Sequence, residues 1–506
     1  MTTDSLDEYS QFVPNKVLYK VVPTVEKEHY QRQPSSVSTD TATTDPATVR
    51  RGIYHQIIAT CAVLLLSAAC GMPIGYSAVL LPQLTSPNAT AEIAIDIEMG
   101  SWIASVHSLA TPIGSLLSGP LADFIGRRTT LLLSVIPVFI GWSTLALSQS
   151  YAMLIAGRMM CGFAVGILGG PAQVYIAETA EPNLRSLLIG APFVSYSLGI
   201  LIVYALGSAL HWRSVAWCGN VLPALAALAI FCIPESPVWL VRNKKLCRAQ
   251  KALTFLRGNE IIAQKEINEM NARLQKESDA MVTNENIFKL CCQRQAVKPL
   301  TIVILLSFLQ MFSGTFLVVF YAIDIISEFG TSFDTKTAAI WTAVVRMICT
   351  MIFCFVLLFV RRRRILLVSS IGSGLSCLTL SVYMYAHANQ PKSGTDVLVA
   401  ASCLLIYIAF NTALMVMPGI MVGELFPAKI RGRTAGGVFA AMNVALFGLT
   451  KAFPVIQAVL KMRGVFMMFA AASFMVSALM FLVQPETKGR TLEQIEDYFK
   501  EDHWLW

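Results

Sequence analysis

Long apolar runs recur along most of this 506-residue chain and constrain its fold more than any other feature. Hydrophobic residues make up 55% of the chain and charged residues only 14%. One soluble core is excluded, because such cores stop growing at about 250–300 residues. Each run is long enough to cross a bilayer as an α-helix, which needs about 20 residues. We predict twelve spans, at roughly 53–80, 100–120, 129–147, 151–176, 187–208, 214–233, 299–323, 337–360, 365–386, 397–422, 434–459 and 465–483.

The spans fall into two groups of six, which predicts an all-α membrane protein with two six-helix bundles. Two similar bundles are typical of transporters that are built from repeats. The polar first segment is predicted to be a disordered cytosolic tail, and the charged middle segment a cytosolic helical linker. The predicted segments are a tail at 1–51, a bundle at 52–241, the linker at 242–298, a second bundle at 299–483 and a tail at 484–506.

The distribution of Lys and Arg predicts that both termini are cytosolic. With that orientation 31 of the 39 basic residues fall in cytosolic segments, as the positive-inside rule requires. The triplet Asn88-Ala89-Thr90 then lies in an external loop, where Asn88 is a candidate N-glycosylation site. External loops hold five basic residues, Arg213, Lys336, Lys392, Lys461 and Arg463.

Several functional classes find no support in the sequence. The net charge of +8 is explained by membrane topology, and no nucleic-acid motif is present, so the expected partners are a small-molecule solute and the lipid bilayer. The six histidines have no metal-ligand spacing, and there is no phosphate-binding loop. We therefore predict no enzyme activity, no catalytic residue, no metal and no cofactor. The oligomeric state stays open.

Charged residues recur at equivalent places in the two halves. A Glu precedes an Arg by seven residues after span 4, in Glu178 and Arg185. The same spacing follows span 10, in Glu424 and Arg431. A duplicated six-span unit explains this repetition better than chance.

These segments, taken with other motifs, resemble the sugar porters of the major facilitator superfamily. The motifs are "GPLADFIGRR" (119–128), "PESPVWL" (234–240), "GELFPAKIRG" (423–432) and "PETKGRTLEQIE" (485–496). The resemblance covers about 52–498 and is nearest to the insect branch of facilitated trehalose transporter-like proteins. One motif departs from the family, because four Arg at 361–364 follow span 8 without the usual Asp and Gly.

The resemblance implies a gating role for acids and arginines at the cytosolic ends of the spans. Ion pairs between the two bundles would hold the inner mouth shut while the outer mouth is open. The alternative is that these charges only set topology and form surface pairs, worth about 0–1 kcal/mol each. The matching residues are Asp123, Arg127, Arg128, Glu178, Arg185, Glu235, Glu424, Arg431 and Glu486.

The resemblance also locates the substrate cavity, in which several expected amides are missing. Span 7 keeps Gln310 and Ser313, but Met311 and Phe316 replace a Gln and an Asn, and Asn443 is retained in span 11. Each lost hydrogen bond costs about 0.5–1.5 kcal/mol, and millimolar binding totals only about 4 kcal/mol. A glucose site like that of the relatives is therefore not expected. The candidate substrate-binding residues are Gln310, Ser313, Phe316, Arg346 and Asn443.

Two arginines within the spans indicate further chemistry. Arg346 takes the place of a family Asn in span 8 and lies about 13 Å deep, where an Arg faces water, backbone carbonyls or a substrate. Arg158 is usual in the family, but Ser77 stands where proton-coupled members carry an Asp. The absence of that carboxylate favours facilitated diffusion.

The sequence thus predicts a facilitative carrier of a sugar such as trehalose or hexose, working by alternating access in the plasma membrane. Two alternatives stay open: a sensor with a carrier fold that has lost transport, and a carrier of a non-sugar, anionic solute.

Overall fold

The computed structural model describes residues 46–85, 93, 95–280, 294–327, 335–388, 394–425 and 431–483, and every regular element in these ranges is an α-helix. The helices of the first half are α1 (Pro46–Thr85), α2 (Ile97–Ile125), α3 (Arg127–Ala146), α4 (Tyr151–Thr179), α5 (Pro182–Ala209), α6 (Trp212–Cys218) and α7 (Val221–Cys232). The linker holds α8 (Pro237–Arg242), α9 (Leu246–Arg257) and α10 (Glu260–Ala280). The second half contains α11 (Arg294–Phe312), α12 (Leu317–Phe320), α13 (Ala322–Ser327), α14 (Thr335–Phe359), α15 (Arg362–Ala386), α16 (Gly394–Leu425) and α17 (Arg431–Val483).

The helices account for all twelve predicted spans. In the described ranges, ten helical segments are long and apolar enough to cross a membrane. One of them, Gly436–Val483, crosses twice, because Lys461 has non-helical backbone angles (φ 56°, ψ 168°) and divides α17. Helix α2 adds another span of 29 residues, whose hydropathy is lowered by its many Ser and Gly residues. The predicted all-α fold with a helical linker is confirmed.

Small residues let the helices of the first half approach closely. A Cβ on Gly162 of α4 would lie 2.0 Å from the carbonyl oxygen of His107 in α2. One turn further on, a Cβ on Gly166 would lie 2.2 Å from the carbonyl oxygen of Thr111. Close backbone approach at small residues is how membrane helices gain packing energy without a hydrophobic driving force.

Several helix pairs join the halves. Helix α5 packs against α14, where the hydroxyl groups of Ser197 and Thr350 lie 3.3 Å apart. Helix α2 packs against the first part of α17, and α1 packs against α12 and α13. The Tyr204 hydroxyl of α5 also donates to the carbonyl oxygen of Val319 in α12 at 2.7 Å, so the first half contacts span 7 directly.

The linker is fastened to the first half at the start of α1 and at the end of α4. The His55 ring of α1 stacks on Phe255 with ring centroids 4.3 Å apart, and Gln56 donates to the carbonyl oxygen of Leu256. Arg257 donates to the carbonyl oxygen of Thr179 at 3.0 Å. Helix α9 buries its apolar face in this way, as its amphipathic pattern predicts.

Candidate functional site

Span 7 is broken inside its apolar stretch, Val297–Phe320, at a segment that we call the helix break (residues 313–316). Helix α11 ends at Phe312 and α12 begins at Leu317. Between them Gly314 has a φ of 84°, and a Cβ there would lie 2.5 Å from the ring of Phe469. Both the left-handed conformation and the close ring require glycine at this position.

The helix break leaves backbone groups without helical hydrogen-bond partners, and side chains of helix α16 form hydrogen bonds with some of them. The Tyr407 hydroxyl donates to the carbonyl oxygen of Ser313 at 2.6 Å, and the Asn411 amide donates to the same oxygen at 3.3 Å. Thr315 in turn donates to the Asn411 side-chain oxygen at 2.6 Å. Non-helical backbone at membrane depth is tolerated where it is buried in protein and paired in this way.

Gln310, one turn before the helix break, has unmet hydrogen-bonding capacity. Its side chain is 0% exposed. Among the described residues, neither its amide nitrogen nor its amide oxygen has a hydrogen-bond partner. A buried amide that is unpaired at both ends is costly and needs an explanation, such as a bound ligand or water. The structure thus leaves one donor and one acceptor free beside the helix break.

Arg346 of α14 is a buried cation without a carboxylate partner in the described ranges. It is 4% exposed, and its recorded hydrogen-bond acceptor is the sulfur of Met415, 3.5 Å from Nη1. The phenol groups of Tyr204 and Tyr407 lie close enough to interact electrostatically with the guanidinium. Met415 lies one turn after Asn411 on α16, so Arg346 contacts the helix that holds the helix break.

Arg158 of α4 is fully buried and paired within the first half. It donates to the Ser77 hydroxyl at 2.5 Å, to the carbonyl oxygen of Ile103 at 3.1 Å and to the carbonyl oxygen of Pro73. None of these groups titrates near neutral pH. The residue is satisfied by neutral acceptors rather than by a carboxylate.

The other predicted substrate residues lie on span 7 and on α17. Ser313 lies in the helix break, where its hydroxyl donates to the carbonyl oxygen of Gln310 at 2.6 Å. Phe316 is partly buried and packs against the apolar core. Asn443 of α17 is half-buried, and its amide donates to Phe439 of its own helix at 2.8 Å. Sequence reasoning missed Tyr407 and Asn411, because nothing along α16 marks them as partners of span 7.

A second group of predicted residues comes together in what we call the charge cluster, which consists of Asp123, Arg127, Arg128, Glu178 and Glu235. Arg127 lies 3.0 Å from the Asp123 carboxylate and 3.2 Å from that of Glu178. The backbone N–H of Arg128 donates to Glu235 at 2.8 Å, so Glu235 caps the start of α3. These recorded pairs all lie within the first half.

Glycine explains the geometry of this cluster. Gly126 has a φ of 104°, and a Cβ on it would lie 2.4 Å from a carboxylate oxygen of Glu235. The glycine of the "GRR" motif therefore lets the capping carboxylate approach the backbone of α3. Ser236 donates to the Glu178 carboxylate, which ties the end of α4 to the same cap.

The remaining predicted gating residues are placed as follows. Arg185 donates to the carbonyl oxygen of Ala180 at 3.4 Å. Of the four arginines after span 8, Arg362 donates to the Leu357 carbonyl oxygen and Arg363 to that of Phe481. Asn88, Glu486 and the side chains of Glu424 and Arg431 lie outside the described residues.

The family model for sugar (and other) transporters matches residues 60–499. The chain belongs to this family. The resemblance inferred from the motifs is thereby confirmed. Among curated relatives, the facilitated trehalose transporter Tret1 of Drosophila yakuba is 33% identical over 445 residues, which are 88% of this chain and 52% of that protein. The chain thus spans about half the length of the first curated relatives that it matches.

A shorter sugar transporter relative is matched over most of its length. The Tret1-2 homolog of Drosophila sechellia is 31% identical over 444 residues, covering 88% of this chain and 90% of that protein. The fold matches that of the proton:xylose symporter XylE bound to a bromo-deoxyglucose, with a TM-score of 0.70, 20% identity, and coverage of 89% of this chain and 99% of that one. A partially occluded inward-open XylE of E. coli also gives 0.70, at 18% identity, with coverage of 87% and 100%.

Proposed function

We propose that this chain is a facilitative carrier of a sugar, trehalose or a hexose, that works by alternating access in the plasma membrane. The proposal is supported by the names of its sugar transporter relatives and by a fold shared with a sugar symporter. Both termini are proposed to be cytosolic and Asn88 to be glycosylated. The bundles are proposed to span 52–241 and 299–483, linked by 242–298.

The observation that carries the proposal is the unpaired amide of Gln310 beside the helix break. A sugar hydroxyl group both donates and accepts a hydrogen bond. It can therefore pair with an amide whose nitrogen and oxygen have no hydrogen-bond partner among the described residues. Broken helices at mid-membrane are where carriers of this kind bind their solutes. Ser313, Phe316 and Asn443 are proposed as further contacts.

Transport is proposed to be uncoupled from protons. Arg158 is satisfied by Ser77 and two carbonyl oxygens, so no carboxylate beside it takes up a proton during the cycle. The sugar would then move only down its own gradient.

The charge cluster is proposed to lie on the cytosolic side of the membrane and to take part in inner gating. Its recorded pairs brace α2, α3, α4 and the segment before α8 into one unit, so the first half can rock as a rigid body. Arg185, Glu424, Arg431 and Glu486 are proposed to complete the inner gate.

Tracer uptake in oocytes tests the proposal. Wild-type protein, with surface expression measured by biotinylation, is assayed with trehalose, glucose, fructose, a polyol and a dicarboxylate. Saturable sugar flux that ends at the external concentration supports the proposal. Surface protein that moves no solute refutes it and favours a sensor, whereas flux of the dicarboxylate alone refutes the sugar assignment.

A further inference from the structure

Arg346 raises the question of what balances its charge. The side chain is 4% exposed, lies in the membrane-spanning α14, and has no carboxylate partner within the described ranges. A thioether sulfur is a weak acceptor, so Met415 does not compensate a full positive charge. Leaving a buried cation uncompensated costs several kcal/mol. Intramembrane cations that persist at such a cost mark a substrate or ion path.

The neighbouring phenol groups do not supply the missing charge. Tyr204 uses its proton in a 2.7 Å hydrogen bond to the carbonyl oxygen of Val319, and Tyr407 uses its own on Ser313. Their oxygens remain as neutral acceptors near the guanidinium. Among the side chains that the structure describes, Arg346 therefore meets dipoles but no carboxylate.

We infer that the carried solute is a sugar acid, whose carboxylate is bound by Arg346 while a ring hydroxyl group is bound by Gln310. The inference rests on the proposed sugar transport and names the substrate class of the same site. A carboxylate accepts two parallel hydrogen bonds from a guanidinium. Helix α16 connects the two binding groups, because Asn411 donates to Ser313 of the helix break beside Gln310 and Met415, one turn further along α16, contacts Arg346. Arg346 is thus the residue that selects the acid over the neutral sugar.

Uptake of glucuronate and glucose tests this inference, because the two sugars differ at one carbon. Wild-type protein should take up glucuronate with the higher kcat/KM. Arg346→Gln should lower the ratio of the glucuronate kcat/KM to the glucose kcat/KM by about tenfold to hundredfold, since hydrogen bonds to charged groups contribute about 1.5–3 kcal/mol. Arg346→Lys, which keeps the charge, should retain part of the glucuronate flux. Surface biotinylation shows whether each variant folds and is delivered.

The outcomes separate this inference from the proposed function. Neutral sugar flux without glucuronate flux would overturn the inference and leave the carrier function standing. Neutral sugar flux that requires chloride would also overturn the inference and leave the carrier function standing, because an inorganic anion would then balance the positive charge of Arg346. Absence of both sugar fluxes, with the protein at the surface, would overturn both.

A second, independent observation concerns Lys451, which joins the outer ends of the two halves. Lys451 of α17 donates to the Ser101 hydroxyl of α2 at 2.8 Å, and its ammonium lies 4.5 Å from the centroid of the Trp102 ring. One turn along α17, the Phe447 ring lies 5.8 Å from that of Trp102. We call these four residues the outer latch.

The latch contacts differ in strength. Glu98 lies 3.8 Å from Lys451, but its side chain is 80% exposed, so water and salt screen that pair. The cation–π contact and the hydrogen bond to Ser101 are less exposed and hold Lys451 more firmly. Since α2 and α17 belong to different halves, opening the outer mouth by rocking must break these contacts.

We propose that the outer latch stabilises the state in which the outer mouth is closed. Lys451→Met or Trp102→Ala should then populate the outward-open state. The apparent KM for uptake should fall and that for efflux should rise, each by about two- to tenfold, because a cation–π contact contributes about 0.5–2 kcal/mol. Glu98→Gln is the matched control and should change neither value.

Two results would overturn the outer latch. Unchanged KM values on both sides in the Lys451 and Trp102 variants would do so. The second test needs no transport: in a Ser101→Cys and Lys451→Cys double variant, a short bismaleimide that spans the reach of the lysine side chain should hold the two halves together after protease cleavage of the linker, while either single variant should not. Failure of the double variant to cross-link with this reagent would contradict the contact itself.

Discussion

The hydroxyl group of Tyr407 donates a 2.6 Å hydrogen bond to the carbonyl oxygen of Ser313, and so ties helix α16 to the break in span 7. The bond satisfies a backbone carbonyl at membrane depth, where no helix partner exists for it. The bond holds the non-helical backbone of the helix break against α16. The amide of Gln310 is presented from the same point.

Tyr407→Phe should destabilise the protein by about 1–3 kcal/mol, because it leaves the Ser313 carbonyl with weaker pairing in a buried site. The measurement is the thermal unfolding midpoint of the protein purified in detergent. Tyr385→Phe is the matched control, since Tyr385 is 48% exposed and its ring contact with Arg463 survives the change. Equal midpoints for the two variants would contradict the role of Tyr407.

Gln310→Leu should abolish sugar flux without lowering stability. The amide makes no recorded hydrogen bond in the described ranges, so replacing it with an apolar side chain of similar size removes two unsatisfied atoms. Stability is expected to be unchanged or to rise by about 1–3 kcal/mol. Unfolding midpoint and tracer uptake are measured on the same preparations.

Asn411→Leu serves as the comparison for Gln310→Leu. Asn411 accepts from Thr315 and donates to Ser313, so its replacement leaves those groups unpaired and should lower the unfolding midpoint. If Gln310→Leu proved as destabilising as Asn411→Leu, the amide of Gln310 would be structural rather than a substrate group.

Gly126→Ala should reduce folded protein at the surface. Gly126 has a φ of 104°, and the new Cβ would displace the Glu235 carboxylate that caps α3. The strained backbone alone is expected to cost about 1–3 kcal/mol. Gly119→Ala is the control within the same motif, because nothing lies within 4 Å of a Cβ there. Similar surface levels for both variants would refute the cap.

Sugar flux should not respond to a proton gradient. Arg158 is bonded to Ser77 and to backbone carbonyl oxygens, so the pair holds no group that titrates near neutrality. Uptake into proteoliposomes is compared with and without an imposed gradient and with a protonophore. Accumulation above the external concentration that the protonophore abolishes would show coupling through another group.

Much of the fold is predictable from the sequence, because hydropathy marks each span and charge marks each loop. The exception is local: the apolar pattern of 299–323 predicts one continuous span, yet Gly314 breaks it. Hydropathy averages over about 20 residues and does not register one residue with a positive φ. The fold-level prediction survives, because α11 and α12 together still cross the membrane.

The site was predictable only where a motif fixes it. The span 7 motif predicts Gln310 and Ser313, and the motifs at the ends of the spans predict the residues of the charge cluster. The partners of Ser313 could not be predicted, because Tyr407 and Asn411 are about 95 residues further along the chain and only folding brings them to the helix break. Arg127 pairs with acidic residues of its own half. The sequence could not predict this, because a charged residue can pair with an opposite charge in either half.

Counterflow in proteoliposomes tests the central claim most directly. Vesicles loaded with unlabelled sugar and diluted into labelled sugar should show a transient overshoot of label, because unlabelled sugar inside competes with the label for exit through a carrier with alternating access. Gln310→Leu vesicles, reconstituted at equal density, should show none. Label that enters wild-type vesicles no faster than it enters protein-free vesicles would contradict the account.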